Sequence, residues 1–350
     1  MEHSLISPLL MVEKFILRIH RGRMRMKGLI LGAGNGTRLH PFTRVTPKVL
    51  LPVANKPIVH YCIEKLAGLG IDEICIVIQP VHKLLFMKQV GEGSRWGVRI
   101  RYVYQHHPQG IADAVRRAGE YIRNEEFLLL LGDNMIEDSL ERLRDSILLE
   151  RRDAALLLGE VSNPQDYGIA QVEGDRIVGL EEKPPFPKTN LAVLGAYAFG
   201  PRALDAVNAI SPSARGEYEI TDALNWLLRE NASISYQVTT MEHSDVGRPD
   251  RWLNANRWVL HRTAGEYGTY ERLISSGCVI HGPVIVDDQA ELENCVIGPY
   301  VSIGPYVRLR DCVVTDSIVL AGVGIMNKIV QHAIVSPRHS LYINRMEDSQ

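Results

Sequence analysis

The 350-residue sequence predicts an α/β protein, with a doubly wound, mixed sheet followed by a smaller domain of stacked β-coils. Three observations predict it. Between residues 26 and 131, short and wholly apolar runs alternate with helical patterns, as in a parallel sheet covered on both faces. From 154 to 240 strand-like segments follow with little helix between them, which reads as an inserted, partly antiparallel region with room for a second substrate. From 277 onward one motif recurs every 17 residues.

Residues 1–25 read as an N-terminal extension, either a disordered tail or the product of a start codon placed too early, with Met26 the working start. The apolar run Leu9-Leu10-Met11-Val12 ends at Glu13 and is too short for a secretory core. Leu29, Ile30 and Leu31 then read as a buried strand that breaks at Gly32, Gly34 and Gly36. Glycines at alternate positions let backbone N–H groups approach a ligand closely. Arg38, Arg44, Lys48 and Lys56 follow, and no Asp or Glu occurs between Gly28 and Ile63. A glycine-rich turn in a basic stretch suits a polyphosphate, while a ligand-free strand-to-helix turn is the plainer alternative. Gly36-Thr37-Arg38 stands where a Walker loop needs Gly-Lys-Ser/Thr. Thr37 stands where the dinucleotide fingerprint needs glycine, and the ribose-binding acid is missing.

A helix is expected after the loop, capped by Asn55, with Pro57 in its first turn and Ile58, Cys62, Leu66 and Leu69 on its apolar face. Strands are expected at 74–78, 100–104 and 127–131, with a helix from Ile111 to Ile122. Ligands in such sheets sit beyond the carboxyl ends of the strands, so the loop at 32–38, the segment 105–110 and Asp133 can converge. Further strands are expected at 154–161, 169–172, 177–181, 192–199 and 234–240, and helices at 220–230 and 250–262. The first domain is accordingly placed at 26–262, a linker at 263–276, the coils at 277–340 and a tail at 341–350. Gly277-Cys-Val-Ile280, Asn294-Cys-Val-Ile297 and Asp311-Cys-Val-Val314 mark successive coils, and their cysteines are expected as an inward stack.

Lys and Arg number 39 against 41 Asp and Glu, so net charge recruits neither nucleic acid nor membrane, and no run approaches 18 apolar residues. Five cysteines without a CxxC pair suit a reducing compartment, hence the cytoplasm, and no structural zinc. Asp133 and Asp245, each beside an expected strand, are either Mg²⁺ ligands or turn-forming aspartates. Glu181-Glu182-Lys183 and Arg215-Gly-Glu-Tyr-Glu219 are either binding groups for a sugar phosphate or solvated charges.

Gly34-Asn-Gly-Thr-Arg-Leu39 with Pro47-Lys48, Leu131-Gly-Asp-Asn134, Glu182-Lys183-Pro184, Arg215-Gly-Glu217 and Ile220-Thr-Asp222 together resemble the sugar-1-phosphate nucleotidyltransferases. The likeness is greatest to the long-form glucose-1-phosphate thymidylyltransferases, which end in a left-handed β-helix. The resemblance implies Mg²⁺-dependent reaction of dTTP with glucose 1-phosphate to give dTDP-glucose and pyrophosphate. It implies that Leu31, Gly32, Ala33, Gly34, Gly36, Thr37, Gln105 and Gly110 contact the nucleotide, and that Arg38 and Lys48 hold the triphosphate. It implies that Asp133 and Asp245 bind Mg²⁺. Tyr167, Gly168, Glu182, Val193 and Tyr197 would line the sugar site, with Lys183 and Arg215 on its phosphate. Arg38, Lys48, Asp133 and Lys183 are the expected catalytic set. Gly32 departs from the family, which usually carries alanine there. The same chemistry with UTP or another sugar phosphate, a non-catalytic binding subunit, and an acyltransferase built on the coils are the other readings. A homo-oligomer is left open by the sequence.

Overall fold

The structure is a computed structural model that describes residues 26–263 and 270–343. The 1–25 extension, residues 264–269 of the expected linker and residues 344–350 of the tail lie outside the described residues. Strand β1 (Met26–Leu31) is followed by a hairpin of β2 (Pro52–Val53) and β3 (Lys56–Pro57), then α1 (Ile58–Gly68) and β4 (Glu73–Ile78). Next come α2 (Lys83–Gln89), β5 (Arg99–Tyr104), α3 (Ile111–Arg117), α4 (Gly119–Ile122) and β6 (Glu126–Leu131). After β7 (Asn134–Ile136) and α5 (Glu141–Leu148) the chain forms β8 (Ala154–Glu160), β9 (Gly168–Glu173), β10 (Arg176–Glu182) and β11 (Leu191–Phe199). Helices α6 (Ala203–Ala209) and α7 (Ile220–Arg229), strands β12 (Ile234–Val238) and β13 (His243–Asp245), and α8 (Pro249–Arg262) complete this part.

One nine-stranded sheet runs β5-β4-β1-β6-β11-β8-β12-β10-β9. Its first four strands are parallel, and β11 inserts antiparallel beside β6. The antiparallel segments therefore extend the parallel sheet rather than forming a separate insertion. Successive residues of β1 feed opposite layers, Leu29 with α3 and α6 on one face and Ile30 with α1 and α5 on the other. Both faces being covered explains the wholly apolar strands. Among the described residues no helix is long and apolar enough to cross a membrane.

The C-terminal region is a three-sided left-handed parallel β-helix. Its register steps by 17 residues from Val279 to Val296 and from Val296 to Val313, then by 16 to Ile329. The shortened step falls at the corner occupied by Asp316, which has φ 44° and separates strands Val313–Thr315 and Ser317–Val319. Cys278, Cys295 and Cys312 are buried free thiols in the coil core, as expected for packing residues. Helix α9 (Glu271–Ser275) lies within the stretch expected as a linker and inserts Leu273 into that core.

Helix α8 joins the two regions. One side buries Trp252, which meets Phe42 edge-on and donates its Nε1–H to the Pro52 carbonyl at 2.7 Å. The same apolar cluster takes in Ile318 and Ile334 of the coil. Asn55 does not cap α1. It sits at φ 60° in the β2–β3 turn and its side-chain amide donates to the Ile303 carbonyl of the coil at 2.7 Å, so the polar group that suggests a cap is used across the interface.

Candidate active site

A cleft of about 500 Å³ opens at the carboxyl ends of β1, β5 and β6. That volume suits a small-molecule site. At one end is the turn after β1. Among the described residues, the backbone N–H groups of Ala33, Gly34, Asn35 and Gly36 meet no backbone carbonyl. Gln79 holds the turn from behind, donating to the Ala33 carbonyl at 2.7 Å and to Asn35 Oδ1 at 2.9 Å. Thr43 Oγ1 donates to the Gly36 carbonyl at 2.8 Å. Leu31, Ala33, Gly34, Gly36, Thr37, Arg38 and Lys48 all line the cleft, and Arg38 has no ion-pair partner among the described residues. Gly32 does not line it. Its N–H is spent on the Val77 carbonyl at 2.8 Å, because the chain is still in register with β4 at that point. Arg44 is exposed outside the cleft, and Lys56 turns away to Glu64 and the Tyr61 ring, so the basic stretch sends only part of its charge to the site.

The segment after β5 forms the adjoining wall. Gln105 is buried and donates to Asp113 Oδ2 at 2.7 Å. The Tyr218 N–H donates to the Gln109 carbonyl at 2.7 Å, and the Ala112 N–H donates to the Tyr218 carbonyl at 3.1 Å. Gly110 lies at this crossing with φ 105°, and a Cβ there would fall 2.5 Å from the Tyr218 carbonyl oxygen. Glycine is required on both counts.

Two segments that carry carboxylates meet at the centre. Asp133 is the second residue past the end of β6, after Gly132, and Asp245 lies on β13, which pairs antiparallel with β7 so that Asp245 faces Asn134. Sequence reading places Asp245 in a loop between a strand and a helix, whereas it belongs to a three-residue strand of its own. The Val246 N–H donates to the Asp133 carbonyl at 2.9 Å, which brings the two segments edge to edge. Asp133 pairs with Lys48, and Asp245 pairs with Arg251 of α8. Asp245 Oδ2 and Lys48 Nζ both lie 3.6 Å from where a Gly247 Cβ would stand, so the two ion pairs are neighbours. Among the described residues no three His, Cys, Asp or Glu side chains cluster as a metal cage. Two carboxylates on abutting segments beside an open cleft fit Mg²⁺, which is commonly held by one or two carboxylates plus phosphates and water.

The far end holds Tyr167, Gly168, Glu182, Lys183, Val193 and Tyr197. A register shift in β11 between Val193 and Tyr197 creates a bulge at Gly195, φ 72°. A Cβ on Gly195 would lie 2.3 Å from Asn134 Nδ2, which donates to the Leu194 carbonyl at 2.8 Å. Lys183 has φ 43°, an uncommon conformation for a side chain of this size, and its N–H donates to the Tyr167 carbonyl at 2.9 Å. Glu182 organises the cations: its Oε1 lies 3.6 Å from Lys183 Nζ and 3.3 Å from Arg215 Nη1, while Oε2 accepts from Thr221 Oγ1 at 3.3 Å. Arg215 thus stands at the rim, tied to a residue of the cleft without lining it. Burial, and then the nearby Asp245 carboxylate, push the Tyr167 phenol above its ordinary pKa. Burial, then Glu182, raise the Glu219 carboxyl likewise.

Sequence reasoning missed Arg251, Asp166 and Thr221, all of which line the cleft, as does Glu219 of the Arg215–Glu219 run. Thr221 lies in the Ile220-Thr-Asp222 motif, which was a usable signal. Arg251 carried none, since its meaning depends on which carboxylate α8 places beside it.

A family model described as nucleotidyl transferase matches residues 27–262. A glucose-1-phosphate thymidylyltransferase of Streptomyces griseus is 37% identical over 322 residues, covering 86% of this chain and 88% of that one. The low-salt glycan biosynthesis nucleotidyltransferase Agl11 of Haloferax volcanii is 36% identical, covering 84% and 87%. Among solved structures, a Bacillus anthracis protein assigned as a glucose-1-phosphate thymidylyltransferase, in complex with a sucrose, aligns with TM-score 0.64 and 33% identity over 70% of this chain and 98% of that one. UDP-glucose pyrophosphorylase complexed with UDP-glucose aligns with TM-score 0.61 and 25% identity over 68% of this chain and 100% of that one.

Proposed function

The chain belongs to the nucleotidyl transferase family, and from that premise we propose that it transfers a thymidylyl group from dTTP to glucose 1-phosphate, giving dTDP-glucose and pyrophosphate. One observation carries the reading. A turn with free N–H groups, two carboxylates on abutting segments and the Glu182–Lys183 pair line a single cleft, with Arg215 held to Glu182 at its rim, which supplies donors and cations for both a triphosphate and a sugar phosphate.

The sugar phosphate is mostly dianionic at neutral pH, its second pKa being about 6. Its oxygen attacks the α-phosphorus, the bond to the β-phosphate breaks, and pyrophosphate leaves with the electron pair. No side-chain nucleophile is needed. The obstacle is repulsion between anions, so positioning and charge neutralisation supply most of the rate. In this reading the free N–H groups at 33–36 and Arg38 receive the triphosphate, and Lys48 leaves Asp133 to join them. Leu31, Gln105 and Gly110 form the wall against the nucleoside. Tyr167, Gly168, Glu182, Val193 and Tyr197 hold the sugar, and Lys183 and Arg215 hold its phosphate. Asp133 and Asp245 are the residues that would hold Mg²⁺, which when bound supplies charge neutralisation at the phosphates.

The same chemistry with UTP is a second reading, favoured by the fold shared with UDP-glucose pyrophosphorylase. Thymine and uracil differ by one methyl group, worth about 1–3 kcal/mol in a pocket. Pyrophosphate release with Mg²⁺ and glucose 1-phosphate, run separately with dTTP, UTP, GTP, CTP and ATP, tests both. Fastest release with dTTP is expected. Faster release with UTP would move the base specificity, and no release with any triphosphate or sugar 1-phosphate would defeat the proposal.

A further inference from the structure

Arg251 projects from the first turn of α8 into the wall between two cavities. One is the cleft. The other, of about 320 Å³, lies behind it and is lined by Glu160, Glu242, Asn254 and Trp258 among others. Asn134, Tyr167, Asp245 and Arg251 border both. The guanidinium pairs with Asp245, reaches to 3.9 Å from Asp166, and lies 5.6 Å from the centre of the Tyr167 ring. Its side chain is only 18% exposed, so the pair is sheltered from water and screened less than a surface pair.

A carboxylate held this way is not free. The guanidinium holds Asp245 Oδ1, so a divalent cation that takes that oxygen displaces it, and the cavity behind provides both room and two carboxylates, Glu160 and Glu242, to receive it. We propose that Arg251 is the resident counter-ion of Asp245 and competes with the divalent cation for that carboxylate, so that the protein without nucleotide takes up the cation poorly. Arg251 is then a positioning residue, acting through Asp245 rather than on the substrates. The inference rests on the reading of Asp245 as a metal ligand.

Its test is binding of Mn²⁺ to the nucleotide-free protein, followed by the paramagnetic resonance of the free ion. Arg251→Gln is expected to bind Mn²⁺ on the order of tenfold more tightly than wild type, the effect of removing an opposite charge beside a carboxylate. Adding Asp245→Asn to that variant should abolish the gain. Arg251→Lys, which keeps a cation, should stay near wild type. Independently of any change at 251, Asp245→Asn alone should leave nucleotide-free Mn²⁺ binding nearly unchanged, because Asp245 is already occupied, and should weaken it about tenfold once dTTP is present. No gain in Arg251→Gln, a gain that survives Asp245→Asn, or a tenfold loss in Asp245→Asn without nucleotide would overturn the inference. Pyrophosphate release by the wild-type protein is read separately. Turnover without the Mn²⁺ effects removes the role of Arg251 alone, and the Mn²⁺ effects without turnover remove the proposed reaction alone.

Discussion

The cleft and the coil place charge in opposite ways. On one outer side of the coil, Glu291 and Glu293 face Arg308 and Arg310 of the next turn, at 3.1 and 2.6 Å, and all four side chains are at least half exposed. In the cleft, Lys48–Asp133 and Arg251–Asp245 are mostly shielded and stand side by side. The coil's pairs are matched once and for all between neighbouring strands. The cleft's pairs join segments 85 and 6 residues apart in sequence, and each uses a group that the proposed reaction needs for something else. Exposed pairs of fixed partners contribute little. Shielded pairs whose partners must be exchanged are where chemistry is prepared.

Substitution at the cleft should break this contrast most strongly. Asp133→Asn is expected to lower turnover on the order of 10³-fold, about 4 kcal/mol of barrier, with little change in melting temperature. A variant with near-normal pyrophosphate release would remove Asp133 from the machinery. The coil should respond in stability instead. Leu309 is 2% exposed inside it, and Leu309→Ala is expected to cost about 3 kcal/mol in urea unfolding while the folded fraction keeps its turnover. Loss of turnover in fully folded protein would show that the coil core reaches the site.

An acid titration separates the two regions further. His60, on α1 in the catalytic region, is buried, its Nε2 lies 3.1 Å from the Gln89 carbonyl, and its ring meets Trp96 edge-on. Burial first, and Arg95 second, push its pKa down from 6.5 to about 4. The unfolded ring takes a proton below pH 6.5 and the folded ring only near 4, so the unfolded state binds more protons in that window. Stability should therefore fall as pH drops from 6.5 to 4, by about 2 kcal/mol after allowance for screening. His60→Phe should flatten that part of the profile, and an unchanged slope would contradict the assignment. The smallest effect belongs to the coil surface. A double-mutant cycle on Glu291 and Arg308 should give a coupling of about 0.5 kcal/mol or less, and a much larger value would mean the pair is not solvated as its exposure indicates.

Legibility in the sequence follows the same division. The coil was readable because residues that touch are 16 or 17 apart, so the repeat in space is a repeat in sequence. The parallel half of the sheet was readable because burial on both faces leaves wholly apolar runs at 74–78 and 127–131. Helices α2, α5 and α6 were missed, being seven or eight residues long and too short to show a period. In the cleft, motifs led to Arg38, Lys48, Asp133 and Lys183 at its lining. What they could not convey was partnership. Glu182 anchoring both Lys183 and Arg215, the bulge at Gly195, and Arg251 on Asp245 all depend on how the folded chain turns one side chain toward another, which no motif records. Gly32 shows the converse: it reads as part of the phosphate turn, yet its amide still belongs to the sheet.

Nucleotidyl transfer within the cleft is observable by ³¹P resonance of a mixture of the wild-type protein, Mg²⁺, dTTP and glucose 1-phosphate. The glucose 1-phosphate and triphosphate signals are expected to decline together while one diphosphate-linked sugar nucleotide and one pyrophosphate appear for each. Release of orthophosphate, or loss of dTTP with glucose 1-phosphate unchanged, would contradict it.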